Sequence, residues 1–561
     1  MKFQAWKKSK GCMRGLSEVL RFKNYLSFRK SGHLSVVGTA LAALITFSSS
    51  NSNAASTVTI GMTAADIPMT TGAPSQGGEG LRFTGFTMYD GLINWDLTRS
   101  DVPAQLTPGL ATSWKVNPKD KTKWIFTLRK GVKFHDGSTF NADAVIFNLA
   151  KIKDKNSPQF DPKGAAQIRA RIPSVKAWKK IDEYTVEIST PAPDAMLPYQ
   201  LTWFLISSPA QWEKVGKDWK KFAFKPSGTG PFKLTKLVPR EKAVMVPFKD
   251  YWDKKRVAKS TIVLRPIPEA TARTAALLSG QTDWIEAPAP DAIPRLKKAG
   301  KQIVTNTYPH IWPYTLSYLP DSPWLDIRVR KAANLAIDRD GLVKLLGGLA
   351  EPSTGSVEKG HPWRGNPKFQ IKYDPDEARR LMKEVGYTPE KPLKAKLVIS
   401  TGGSGQMQPL PMNEYIQQNM KKVGIDLQLE VVEWARMRTI SRAGATTPDQ
   451  KGFHAINNSY STTHPFNAFV RFFHSSSVAP KGRNWGHYKA KWADEMIDKI
   501  LVTFDIEKQN KLCAELHERL VDEAAWIWIV KDLNPRALAA NVKGMVPAQS
   551  WYLDLTGVHK K

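Results

Sequence analysis

The chain has 561 residues, 82 Lys and Arg against 51 Asp and Glu for a formal charge of +31, 42% hydrophobic residues and two cysteines. This length allows two or three domains with sizeable cores, and the cysteine count excludes a disulfide-stapled scaffold. Such a basic balance raises nucleic acid, an anionic membrane or an anionic solute as partners; yet lysines such as Lys151, Lys153, Lys155, Lys179, Lys180, Lys217, Lys220 and Lys221 are dispersed, and no zinc-finger, RNA-binding or basic-zipper pattern accompanies them, so no nucleic-acid partner is expected.

Residues 1–33 are basic, with Lys7, Lys8, Lys10, Arg14, Arg21, Lys23, Arg29 and Lys30, and an apolar run follows from Leu34 to Phe47. Ser52-Asn53-Ala54-Ala55 then supplies the small residues that signal peptidase accepts. The run is too short and too rich in Ala and Gly to span a bilayer. Residues 1–55 are therefore expected to be a signal peptide, and the remainder a periplasmic protein; a buried helix is the other reading of the run. Met13 is an alternative start, and Arg29-Lys30 echoes a twin-arginine signal with one arginine in place of two. No cysteine follows the run, so no lipid anchor is expected. The leader holds nine Lys and Arg against one Glu, which leaves +23 on the rest. Cys12 falls in the leader, and Cys513 shares an apolar helical pattern with Leu512, Leu516 and Leu520, as a buried structural thiol would.

Beyond the leader, Thr57 to Met62 reads as a first strand. Tyr89-Asp90-Gly91-Leu92 and Ala111-Thr112-Ser113-Trp114 follow. Trp124, Phe126 and Leu128 alternate with more polar neighbours, the pattern of a half-buried strand. Lys130-Gly131 turns it, Phe134 pins the next segment, and His135-Asp136-Gly137 turns again. Asn141 is placed to cap a helix carrying Val145, Ile146 and Leu149. Pro226-Ser227-Gly228-Thr229-Gly230-Pro231-Phe232 is a turn into a strand, with glycines expected at positive φ and Pro231 fixing its own. Tyr251-Trp252 comes next, then a helix from Glu269 to Leu278 ended by Gly280, then Gln281-Thr282-Asp283. Asp326-Ile327-Arg328-Val329-Arg330-Lys331-Ala332 opens a helix reaching Ile337 and Asp338-Arg339. Asp374-Pro375-Asp376-Glu377 starts another, closed by Gly386. Lys396–Ser400, a helix near Met412–Val423 and Ile425–Val431 make a β-α-β unit.

The Trp124–Val145 stretch and these later landmarks, in this order, resemble the family 5 solute-binding proteins of bacterial ABC importers, which carry peptides, nickel chelates and related solutes. The resemblance runs from about residue 57 to the C-terminus. It implies an α/β, two-lobed periplasmic-binding-protein-like fold with an enlarged N-terminal lobe. Lobe I, with an extra subdomain, is expected over 56–312, lobe II over 313–528, and a C-terminal return to lobe I over 529–561. The crossings fall near Tyr308–Leu319 and Trp526–Asn534. The implied protein is a monomeric carrier with no catalytic residues and no cofactor. It encloses a small solute by hinge closure and delivers it to a membrane permease.

The ligand question turns on departures from the family. In its peptide-binding members, a loop of the second lobe places an Asp four residues before a Pro, to pair with the ligand's amino terminus. The comparable loop here is Asn457-Asn458-Ser459-Tyr460-Ser461-Thr462-Thr463-His464-Pro465, which puts Ser461 at that position. A lone hydroxyl replaces a carboxylate poorly against a buried ammonium. The dipeptide branch also carries an Arg in the loop comparable to Thr401-Gly402-Gly403-Ser404-Gly405-Gln406, and none is present here. An ordinary free dipeptide is therefore not expected, and an anionic or sugar-like solute is. The Gly-rich loop could cradle an anion on its backbone N–H groups or simply connect strand to helix. Tyr460, Ser461, Thr463, His464, Arg483, Asn484, Trp485, Thr401 and Ser404 are the expected ligand-binding residues, with Trp485 as an aromatic wall. A metal-chelate or peptide carrier with other anchors is the alternative. His464, His474 and His487 lack the spacing of a metal site, so no metal ligand is expected.

Enzyme motifs occur only as fragments. Ser356-Val357-Glu358-Lys359 is an S-x-x-K without companions, and His517-Glu518 lacks a second histidine. Gly402-Gly403-Ser404-Gly405 falls one residue short of a nucleophile elbow. An exported hydrolase is the reading from a different class.

Overall fold

The structure, a computed structural model, describes residues 56–307, 309–401 and 408–561. The first strand, Ser56–Met62, buries Val58 and Ile60. It pairs in parallel with Ser260–Pro266 on one side and Trp284–Glu286 on the other. Lys242–Pro247 and Phe232–Val238 extend the sheet antiparallel. Past Trp284–Glu286 come Arg536–Leu538 and then Gln302–Val304, giving seven strands in all.

The second sheet is built on His310–Leu316 and Ile527–Asp532, buried at every position, as strands covered on both faces must be. Leu393–Ser400 and Ile425–Val432 run parallel, from Leu393 opposite Ile425 to Ser400 opposite Val432. The helix Pro409–Lys421 joins them, giving the expected β-α-β unit. Trp312, Tyr314, Leu397 and Ile416 form part of this lobe's core. The chain leaves the first sheet after Val304, enters the second at His310, and returns between Asp532 and Arg536. The second sheet thus runs through Asp532, past the boundary placed at 528. Tyr308 lies outside the described residues.

The enlargement of the first lobe is a four-stranded antiparallel sheet, ordered Ala111–Val116, Lys123–Leu128, Thr185–Ser189 and Ala177–Asp182. Trp124, Phe126 and Leu128 face its core with Val145 and Leu149 of the helix Ala142–Lys153. Asn141 caps that helix, its side chain accepting from the Ala144 N–H at 3.3 Å. Asp326 and Asp374 cap the helices Ile327–Ala336 and Pro375–Glu384 in the same way.

The sequence landmarks converge in space. Buried Asp90 accepts hydrogen bonds from Thr229 Oγ1 (3.0 Å), Trp252 Nε1 (2.9 Å), Tyr251 OH (3.3 Å) and Asn94 Nδ2 (3.2 Å). Burial pushes its carboxyl up, partly countered by the Trp252 bond. His135 Nε2 meets the Gly230 carbonyl at 2.9 Å, joining the strand-turn signature to the Pro226–Phe232 turn. The glycines of that turn are explained by crowding and not, as expected, by positive φ. A Cβ on Gly228 would stand 2.2 Å from the Met88 carbonyl oxygen, and one on Gly230 2.5 Å from the Tyr89 nitrogen. Neither is among the positive-φ glycines.

Candidate ligand site

A cavity of about 720 Å³ opens between the two sheets. The first lobe contributes Thr63, Gln76, Glu79, Arg82, Arg171, Trp203, Arg273, Glu286, Trp551 and Tyr552. The second contributes His310, Gln408, Trp434, Arg438, Ser459, Ser461, Asn467 and Arg471, and Asn534 comes from the return crossing. Volume and lining suit a small solute held by aromatic walls and a few polar groups.

Its charged residues fall into two sets. On the first-lobe floor every charge is engaged. Glu286 lies between Arg82 (2.9 Å) and Arg536 (3.1 Å) and accepts from Trp284 Nε1 at 2.8 Å. Burial pushes Glu286 up, but the two arginines more than offset it and hold the carboxylate below its usual range. Glu79 accepts from the Thr63 backbone N–H and hydroxyl, both at 2.7 Å. Arg273 donates to the backbone carbonyls of Glu286, Ile267, Pro268 and Ala287, each within 2.9 Å, so it braces loops and has nothing left for a ligand.

The second set is unpaired. Arg171 follows a short helix of the extra subdomain, with its guanidinium carbon 3.4 Å from the Trp203 ring centroid. Across the cavity, Arg438 projects from the helix Trp434–Ala443, while Arg471 donates to Asn467 Oδ1 at 3.0 Å. Arg442 and Arg483 lie nearby, close enough to act on the others electrostatically. Among the described residues, none of these five arginines forms an ion pair. Burial, then Arg483 and Arg171, pushes Arg471 down to about 9. Burial, then Arg438, Arg483 and Arg442, pushes Arg171 down to about 10. Arg171 and Arg471 nonetheless keep part of their surface open, and both line the cavity. Guanidinium groups stay protonated, so these shifts record how unfavourable the crowding of like charge is before an anion arrives.

The expected residues scatter around this site. Ser461 lines the cavity, and its hydroxyl donates to Thr463 Oγ1 at 3.4 Å. Arg483 belongs to the cationic group. Thr463 faces a separate recess of about 40 Å³ beside Trp95, Tyr199 and Trp363, too small for a solute. Tyr460 packs on Phe472 and Trp526, at 4.4 and 5.6 Å between centroids. His464 is buried and stacks on Tyr199 at 5.6 Å, with burial holding it near 3. Asn484 staples its own turn, bonding the N–H and carbonyl of Tyr488 at 2.9 and 2.7 Å. Trp485 has no exposed surface and packs with Val398, Met437, Ile440 and Ile456, so it underpins the helix that presents Arg438 and does not line the cavity. Thr401 is exposed at the end of its strand, its N–H donating to the Val432 carbonyl at 2.9 Å. Ser404 and its glycines lie outside the described residues. Arg171, Arg438, Arg471, Trp203 and Trp551 were not expected. Each comes from a different stretch of the chain, and nothing local distinguishes them from the many other arginines and tryptophans.

Among the described residues, no group of three or more His, Cys, Asp or Glu is placed to hold a metal. His474 Nδ1 accepts from the Ser476 N–H at 3.0 Å and Nε2 faces Asp498 at 3.2 Å, as a turn cap does. Ser356 is buried while Lys359 is exposed, so the S-x-x-K fragment forms no dyad. Cys513 is buried in the helix Ile506–Asp522, and burial pushes its thiol up. None of the described helices is long and apolar enough to cross a membrane.

Two α/β lobes joined by two crossings, with a solute-sized cavity between them, define a binding protein of the periplasmic type. The sequence profile of the bacterial extracellular solute-binding proteins, family 5 (middle), matches residues 105–479, and the chain belongs to that family. It is a solute-binding protein and not an enzyme. It is 26% identical over 481 residues to a dipeptide-binding protein of Escherichia coli K12, covering 82% of this chain and 86% of that one. It is 28% identical over 478 residues to the glutathione-binding protein GsiB of the same strain, covering 84% and 87%. The structure of HbpA2 from Haemophilus parasuis superposes with a TM-score of 0.75 at 21% identity, covering 90% of this chain and all of that one (100%).

Proposed function

We propose that this protein is the periplasmic receptor of an ABC importer for a small anionic solute, one bearing carboxylate or phosphate groups. The observation that carries the reading is the set of arginines without ion-pair partners on both walls of the cavity, Arg171 on one side and Arg438 and Arg471 on the other. Buried or half-buried guanidinium groups lacking a counter-ion are costly unless a ligand supplies one, and their forked donors match a carboxylate or phosphate bidentately. Ser461, in place of the carboxylate found in peptide-binding members, removes the partner a cationic amino terminus would need. Trp203, Trp434 and Trp551 offer flat apolar faces for the body of the solute or for a sugar ring. The relatives named for dipeptides and for glutathione agree with this chemistry, since both ligands carry carboxylates. The basic charge of the remaining chain favours rapid capture of an anion, and the permease would read the closed form.

Mass spectrometry of the intact protein purified from a periplasm, followed by denaturation, releases any passenger for identification. A solute with one or more carboxylate or phosphate groups is expected. A neutral or cationic passenger overturns the reading.

A further inference from the structure

The cavity arginines come from opposite lobes. Arg171 belongs to the extra subdomain of the first, whereas Arg438, Arg442, Arg471 and Arg483 belong to the second. Closing the lobes therefore brings like charges together, and no carboxylate is available among the described residues to separate them, because Glu79 and Glu286 are already held by Thr63, Arg82 and Arg536. The lobes also have contacts that favour closure, away from the cavity. The Ala195 N–H of the subdomain donates to the Leu501 carbonyl of the second lobe at 2.7 Å. Phe504 packs against Trp124 with centroids 5.6 Å apart and joins the subdomain's core. Tyr199 stacks on His464 across the same divide.

We propose that the cross-cleft arginines form an electrostatic gate. Their repulsion holds the empty receptor open against the Leu501–Phe504 latch, and an anionic solute closes it by supplying the missing negative charge. This rests on the anionic-solute reading and adds to it a rule for closure. The permease would then meet a closed receptor only when cargo is aboard. A ligand that shifts such an equilibrium must bind one state better than the other, and an anion held between two arginine walls does so by Coulomb attraction alone.

Small-angle scattering of the solute-free protein, stripped by unfolding and refolding, tests the gate without knowledge of the cargo. In low salt the wild type should show the larger radius of gyration of an open form. Arg171→Gln with Arg471→Gln should shift it to the compact form with nothing bound. Arg171→Lys with Arg471→Lys keeps the charge and should stay open, which separates repulsion from loss of packing. Raising NaCl from about 0.02 to about 1 M should compact the wild type, because screening shortens from tens of ångströms to about 3 Å. An unchanged radius in both the Gln variant and high salt overturns the gate. A neutral passenger with an intact charge-dependent radius would instead overturn only the solute reading.

Discussion

Arg171 lies over the indole of Trp203, its guanidinium carbon 3.4 Å from the ring centroid, and both line the cavity between the lobes. The ring holds the guanidinium in place, so the pair acts as one preformed anion-facing unit. Trp203 is only half-buried, unlike the core tryptophans. Trp203→Leu should therefore lower solute affinity roughly tenfold, with the cation–π contact worth about 1–2 kcal/mol, and leave the unfolding midpoint nearly unchanged. Calorimetric titration with the recovered passenger, beside thermal unfolding, checks both halves.

Arg471→Ala should weaken binding roughly 10- to 100-fold, the range for losing one charge-assisted hydrogen bond. The same substitution relieves crowding with Arg483 and Arg171 and should not lower the stability of the empty protein. A large loss of stability with unchanged affinity would make Arg471 a structural residue.

Trp485→Ala should cost about 3–5 kcal/mol of stability, since it opens a void among Val398, Met437, Ile440 and Ile456. Any change in affinity should be secondary, through the helix bearing Arg438. Urea unfolding followed by tryptophan fluorescence measures the first. Titration at a temperature where the variant is folded measures the second.

Gly230→Ala places a methyl group 2.5 Å from the backbone of Met88 and Tyr89, atoms that cannot rotate away. A loss of at least about 1–3 kcal/mol is expected, the usual range for overpacking. The neighbouring Asp90 hydrogen bonds should suffer with it, and both effects appear as a lower thermal midpoint.

Burial depresses several histidines, holding His310, His464 and His517 near 3 and His135 near 4. Their folded pKa lies below the unfolded value of about 6.5, so the unfolded chain binds more protons between the two. Stability from these groups is fully present above about pH 6.5 and is lost as pH falls below it. Each contributes a slope of up to about 1.4 kcal/mol per pH unit. Urea midpoints measured from pH 7 to pH 5 should fall, and His464→Phe should make the fall shallower.

Local patterns were readable where the chemistry was local. Asn141, Asp326 and Asp374 cap their helices because a short polar side chain reaches the next turn's N–H groups from that position alone. The β-α-β unit and the Trp124–Leu128 strand follow from apolar periodicity. The convergence of Asp90, Thr229 and Trp252 is invisible in composition, and what pointed to it was the order of landmarks shared with a family. The cavity was hardly readable. Ser461 and Arg483 reached it or its cationic group, whereas Trp485 turned inward, because a loop's place in the fold does not decide which face a side chain takes. Arg171, Arg438 and Arg471 stand out only once distant segments are folded together, and the sequence is too rich in arginine and lysine for any one to attract notice.

The placement of Arg536–Leu538 between Gln302–Val304 and Trp284–Glu286 bears on how the protein is made. The first lobe's sheet is interrupted until nearly the last residues are available, and Tyr552, Leu553, Leu555 and Val558 then fill its core. A growing chain thus holds its earliest strands without their final neighbours until synthesis is almost finished. Such a chain stays open to unfolded export for most of its length, and a fragment ending before Arg536 would leave Gln302–Val304 with no strand to pair with in that sheet.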